Sequence, residues 1–130
     1  ETMSLRSLIV DDNGHFRVAA RNLLEREGIE VVGVAATGAE ALELAEELRP
    51  DVALVDIDLG EESGFDVARR LVEAPGGESV VLISTYAEGD FADLIAAGPA
   101  VGFLSKSDLS ARSIYGILGR PGGEDRTDPD

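Results

Sequence analysis

Four apolar runs in this chain each end in side chains that can do chemistry. Leu8-Ile9-Val10 runs into Asp11-Asp12, Val52 to Val55 into Asp56, Val80 to Ile83 into Ser84-Thr85, and Val101 to Leu104 into Ser105-Lys106. Carboxylates at 11, 12 and 56 converging within ~4–6 Å would repel one another by up to about 4 kcal/mol per closest pair at an effective dielectric of 20. A hard divalent cation with oxygen ligands and retained waters, Mg²⁺ or Mn²⁺, offsets that repulsion. A phosphoryl group on Asp56 would have its oxygens neutralised by the metal on one side and by Lys106 on another, with Ser84 donating a hydrogen bond. The nucleophile is then a carboxylate and the product an acyl phosphate.

These groups can meet only if the runs are neighbouring strands, and the rest of the chain predicts that they are. With Val31 to Val34 there are five short runs, continuous rather than alternating in apolar character, as in strands covered on both faces. Helical stretches separate them. Phe16, Ala19, Ala20, Leu23 and Leu24 recur at i, i+3, i+4, i+7 and i+8, with Gly28 where a C-terminal cap belongs. Thr37-Gly38-Ala39-Glu40 reads as a capping box opening a second helix, which buries Ala41, Leu42, Ala45 and Leu48 and stops at Pro50. A third starts near Ser63, buries Phe65, Ala68, Leu71 and Val72, and ends at Pro75-Gly76-Gly77. Phe91, Leu94 and Ile95 mark a fourth, and Ile114, Ile117 and Leu118 a fifth. The expected fold is α/β, a doubly wound (flavodoxin-like) five-stranded parallel sheet in the order 2-1-3-4-5, with five helices on its two faces. Ligands bind such sheets at the carboxyl ends of the strands, where the order reverses, here between the first and third strands.

The chain has 130 residues, one domain's worth. Residues 5–118 form the expected domain, residues 1–4 an N-terminal extension or cloning remnant, and 119–130 an acidic tail with too few apolar groups to pack. With no cysteine, disulfide and thiolate chemistry are excluded. A formal charge of −15 argues against direct nucleic-acid binding and against anionic membranes. No apolar run is long enough to span a bilayer and no signal segment opens the chain, so a cytoplasmic location is expected. Among 11 basic side chains Lys106 is the only lysine.

LIVDDN at the first strand, VALVDIDLGEESGFD around the third, VLIST at the fourth and AAGPAVGFLSK at the fifth together resemble the response-regulator receiver domain of bacterial two-component signalling, over residues 5 to about 118. The wording ALELAEELRPDVALVDIDL is closest to receivers that usually precede a helix-turn-helix effector. The resemblance implies Asp56 as phosphoacceptor, Asp12 and the backbone carbonyl of Asp58 as direct Mg²⁺ ligands, and Asp11 as a ligand through water. It implies Ser84 and Lys106 as phosphoryl-binding groups and Phe103 as the aromatic whose rotamer follows phosphorylation. Asp58 and Tyr86 would gate the water that hydrolyses the acyl phosphate. The implied partners are a sensor histidine kinase and an effector protein or a second copy of the chain, with no reaction catalysed beyond its own phosphorylation and dephosphorylation. The sequence departs from the family in having Gly60 and Ser107 where proline is common. The usual cis peptide after the lysine would cost ~2.5–4 kcal/mol without proline.

Each feature also has a plainer reading. Asp11-Asp12 could cap the first helix, Ser84-Thr85 could be turn residues, and Lys106 could be a surface charge. Coincidence at four strand ends favours the site. His15, the only histidine, is a weak candidate for a phosphate relay. One alternative is a haloacid-dehalogenase-like phosphatase using Asp56 and Asp58. Another is a receiver-like scaffold that is never phosphorylated.

Overall fold

A computed structural model describes residues 5–74, 79–85 and 92–119. Five parallel strands form one sheet: β1 (Arg6–Val10), β2 (Glu30–Ala35), β3 (Val52–Asp56), β4 (Ser79–Ser84) and β5 (Gly102–Ser105). They lie in the order β2-β1-β3-β4-β5, as the run pattern predicts. The helices between them are α1 (Gly14–Arg26), α2 (Gly38–Leu48), α3 (Gly64–Glu73), α4 (Ala92–Ala97) and α5 (Ala111–Leu118).

The strands read as continuous apolar runs because alternate residues serve two cores. Leu8, Val10, Ala53, Val55, Val80 and Leu82 face one layer, against Ala41 and Ala45 of α2 and Val67, Ala68 and Leu71 of α3. Ile9, Val52, Leu54, Val81 and Ile83 face the other, against Ala20 and Leu24 of α1 and Ile114 of α5. β5 divides in the same way, Phe103 packing on the first core and Leu104 on the second.

Several local expectations need correction. Ala19 is exposed, and so is Val101 at 49%, because β5 begins one residue later, at Gly102. In α2 the buried positions are Gly38, Ala41 and Ala45, while Leu42 and Leu48 are only partly covered and Leu44 joins them. Val67 is buried in α3 beside the expected Ala68 and Leu71. Thr37 does cap α2, accepting from the Glu40 N–H at 3.2 Å, but the Glu40 carboxylate accepts from Ala36 rather than closing back on Thr37.

Two small elements were not foreseen. Asp58–Leu59 and Glu62–Ser63 pair as a short antiparallel ladder after β3, turning through Gly60 at φ +77°. That angle is open to glycine and closed to proline, whose ring fixes φ near −65°, which accounts for the departure from the family pattern there. A 3₁₀ turn, Lys106–Asp108, follows β5. No cis peptide occurs among the described residues, so the Lys106–Ser107 bond is trans. Tyr86, Phe91, the Pro75-Gly76-Gly77 stop and residues 1–4 and 120–130 lie outside the described residues.

Candidate functional site

Register brings the acidic groups together. Val10 pairs with Val55, so Asp11 and Asp56 leave β1 and β3 at the same level. Asp56 pairs in turn with Ile83, and Ser84 with Ser105. Carboxylate oxygens of Asp11, Asp12 and Asp56 all lie within 4.8 Å of one another, Asp11 and Asp56 buried and Asp12 exposed. Lys106 reaches over this edge, with Nζ 2.6 Å from Asp11 Oδ2 and 3.0 Å from Asp56 Oδ2. Ser84 is buried one residue beyond the Asp56 level.

Neighbouring backbone and side-chain groups hold the carboxylates in place. Asp11 Oδ1 accepts from the Asn13 N–H at 2.8 Å and the Arg17 guanidinium donates to the Asp11 carbonyl at 2.7 Å. Asp56 Oδ1 accepts from the Asp58 N–H at 3.0 Å. The interpretation of Asp11-Asp12 as the cap of α1 is not what the structure shows. Asn13 is the true N-cap of α1, its side chain accepting from the Phe16 N–H, while Asp11 spends one oxygen on that turn and turns the other towards Lys106.

α3 comes close to the same strand end. A Cβ on Gly64 would lie 1.9 Å from the Asp56 carbonyl oxygen, and the Gly64 N–H donates to Ile57 O at 2.9 Å. Gly60 lies on the other side at a looser distance, a Cβ there being 3.2 Å from Asp12 Oδ2.

Burial raises the Asp56 pKa from its usual 3.8, and the Asp11 charge adds to this against the Asp58 N–H and Lys106, which favour the anion. For Lys106, burial works to lower the pKa, but its hydrogen bonds to Asp11 and Asp56 and their charges outweigh it and the net direction is upward. The lysine is thus held as an ammonium.

Three carboxylates against one ammonium leave the cluster anionic. Asp11 Oδ2 is fully buried, and its close partner is the Lys106 ammonium. All donors are hard oxygens, so the set fits Mg²⁺ or Mn²⁺.

The site-directed reading of the sequence thus brings together Asp11, Asp12, Asp56 and Lys106, with Ser84 adjacent. Asp58 is exposed, its side chain accepting from the Gly60 N–H at 3.2 Å. Phe103 is half-buried against the core on the α2/α3 side. His15 is exposed on α1 beside Gly14, Val18, Ala19 and Asn22. Sequence reasoning missed Asn13, Arg17, Gly64 and the placement of Phe16, whose ring lies 4.3 Å from Lys106 Nζ.

The family model described as "Response regulator receiver domain" matches residues 7–113. The chain is 32% identical over 114 residues to Response regulator GacA of Pseudomonas viridiflava, covering 87% of this chain and 53% of that protein. It is 31% identical over 86 residues to Chemotaxis protein CheY of Thermotoga maritima, covering 66% of this chain and 72% of that protein. A crystal structure of a two-component response regulator, LuxR family, from Aurantimonas sp. SI85-9A1 superposes with a TM-score of 0.79 at 28% identity, covering 91% of this chain and 88% of that one. The chain spans about half the length, or less, of the first curated relatives it matches.

Proposed function

Because the chain belongs to the response regulator receiver domain family, we propose that it works in the cytoplasm, that Asp56 is its phosphoacceptor and that a sensor histidine kinase is its phosphodonor. One observation carries the reading: a buried Asp56 lies 3.0 Å from the chain's only lysine and within 4.8 Å of two further carboxylates, where the strand order reverses. In the transfer, an Asp56 carboxylate oxygen attacks phosphorus, the bond between phosphorus and the donor atom breaks, and the electron pair leaves with the donor.

Each neighbour has a part. Lys106 moves from Asp56 Oδ2 to a phosphoryl oxygen, and its raised pKa keeps the charge available. The Ser84 hydroxyl donates to another. Asp12 and the carbonyl of Asp58 would hold the metal directly, and Asp11 would hold it through water. Bound Mg²⁺ or Mn²⁺ supplies charge neutralisation and orientation for the phosphoryl oxygens.

Ser84 turning towards the phosphoryl group vacates space that Phe103 enters, which alters the surface of α4, β5 and α5 read by an effector or a second copy of the chain. Asp58 and Tyr86 set access of the hydrolytic water. The chain catalyses only its own phosphorylation and dephosphorylation. Family membership disfavours both the haloacid-dehalogenase-like phosphatase and the unphosphorylated scaffold.

The test is intact mass after incubation with Mg²⁺ and a small acyl phosphate. One hydroxylamine-labile phosphoryl group is expected, and Asp56→Asn should abolish it. Undiminished labelling of that variant means that the nucleophile is wrong.

A further inference from the structure

Lys106 has a third neighbour that the chemistry above leaves unused. Its Nζ lies 4.3 Å from the centroid of the Phe16 ring. The Phe16 backbone is held by the same turn that holds Asp11, and its side chain packs at the edge of the core behind it. The Asn13 side chain accepts from the Phe16 N–H at 3.1 Å, and the Asn13 N–H donates to Asp11 Oδ1 at 2.8 Å. The β1–α1 turn and the first turn of α1 therefore present one carboxylate and one aromatic face to a single ammonium.

The ammonium has somewhere else to go. A cleft of about 400 Å³ opens beside it, lined by Asn13, Phe16, Thr85, Ser105 and Ser107 as well as Lys106 itself. Its hydroxyls and water offer a lysine, on a stem of four rotatable bonds, an alternative to the two carboxylates. An aromatic face opposes that excursion, because its quadrupole attracts the cation and its apolar surface excludes water. During transfer Lys106 must also release Asp56 Oδ2 and take up a phosphoryl oxygen. A neutral ring can hold the cation through this exchange without competing as a ligand for it.

We propose that Phe16 is a positioning residue for phosphoryl uptake, its ring holding the Lys106 ammonium over Asp56 and out of the neighbouring cleft. The inference rests on the phosphoacceptor reading of Asp56.

The experiment follows the rate of labelling by a small acyl phosphate at saturating Mg²⁺ in the full chain, by intact mass, together with Mg²⁺ affinity by calorimetry and Tm. Phe16→Leu keeps apolar volume and removes the ring face. It should slow labelling ~3–10-fold, the range that a partly desolvated cation–π contact supports at ~1.4 kcal/mol per decade. Phe16→Tyr restores the face and should bring the rate back to within about twofold of wild type. Mg²⁺ affinity and Tm should stay near wild type in both, since the metal ligands are untouched and both replacements keep apolar contact at the edge of the core where Phe16 packs.

The proposal is overturned if Phe16→Leu labels at the wild-type rate, if Phe16→Tyr is as slow as Phe16→Leu, or if Mg²⁺ affinity and Tm fall in step with the rate, which is the signature of a merely structural side chain. Should Phe16→Leu not fold, Phe16→Met puts the same question and is judged by the same outcomes. Failure of the wild type to label removes the phosphoacceptor reading and this inference with it. A labelled wild type with an indifferent Phe16→Leu removes this inference alone.

Discussion

Gly64→Ala should do more damage than a methyl group added at any other described glycine, and the size of the effect follows from distances. The new Cβ would sit 1.9 Å from Asp56 O, 2.5 Å from Ile57 Cα and 2.7 Å from Asp56 C, all backbone atoms that have no rotamer to change. The start of α3 must move more than 1 Å from the end of β3 to reach the 3.0 Å below which real Cβ contacts essentially never occur. That motion opens the Gly64 N–H to Ile57 O bond from 2.9 Å towards 4 Å, beyond hydrogen-bonding range. Leaving those groups unpaired costs about 1–3 kcal/mol, and overpacking a further ~1–3 kcal/mol.

A loss of about 2–6 kcal/mol is a large share of the 5–15 kcal/mol typical of a domain. For a chain of this size it lowers Tm by at least about 8 °C. The assay is calorimetric or fluorescence-monitored melting, paired with Gly116→Ala as a control. At Gly116 an added Cβ meets nothing within 4 Å, and alanine within α5 should stabilise by about 0.5–1 kcal/mol. Because the displaced backbone carries Asp56, phosphoryl labelling of Gly64→Ala should also slow by about tenfold or more. A Tm within about 2 °C of wild type would refute the claimed close approach.

Gly60→Pro installs the residue common in the family, yet it should destabilise by about 1–3 kcal/mol in urea titrations, since proline cannot adopt φ +77° and loses the N–H bonded to Asp58. In metal-free buffer at neutral pH, Asp56→Asn should be more stable than wild type. The raised folded pKa means that the wild-type group's favourable contribution is complete only below its unfolded value of 3.8 and is lost as pH rises, so the gap should close on acidification, and a pH-independent gap would contradict this. Mg²⁺ at tenfold its Kd should add ~1.4 kcal/mol to wild-type stability, with Asp12→Ala losing more of that gain than Asp11→Ala, as thermal shifts with and without the ion will report. Phe103→Ala should leave labelling of Asp56 intact while damping the beryllofluoride-induced chemical-shift changes at α5, and undamped changes would detach Phe103 from the switch.

What the sequence made legible and what it did not divides along a physical line. Asp11, Asp12, Asp56, Ser84 and Lys106 could be grouped because each terminates a strand, and a parallel sheet with a known order converts chain position at strand ends into proximity in space. The strands were visible because burial on two faces removes polar residues from both parities, as Leu8 and Ile9 facing opposite cores illustrate. The groups that support the site obey no such periodicity. Gly64 matters through one backbone approach that no pattern of apolar residues encodes. The ladder after β3 has two residues per strand, too short to alternate. Ala19 is small enough to satisfy a helical stripe while facing solvent. Phe16 fits the apolar period of α1 and does pack at the edge of that core, so periodicity accounts for it fully and leaves no residue of evidence for its second contact. Its contact with Lys106 depends on where the turn after β5 delivers the ammonium, and that turn is a 3₁₀ segment with no sequence signature of its own. Chemistry at the ends of regular elements is thus readable from the chain, whereas the geometry that tunes it arises where irregular segments from distant positions meet.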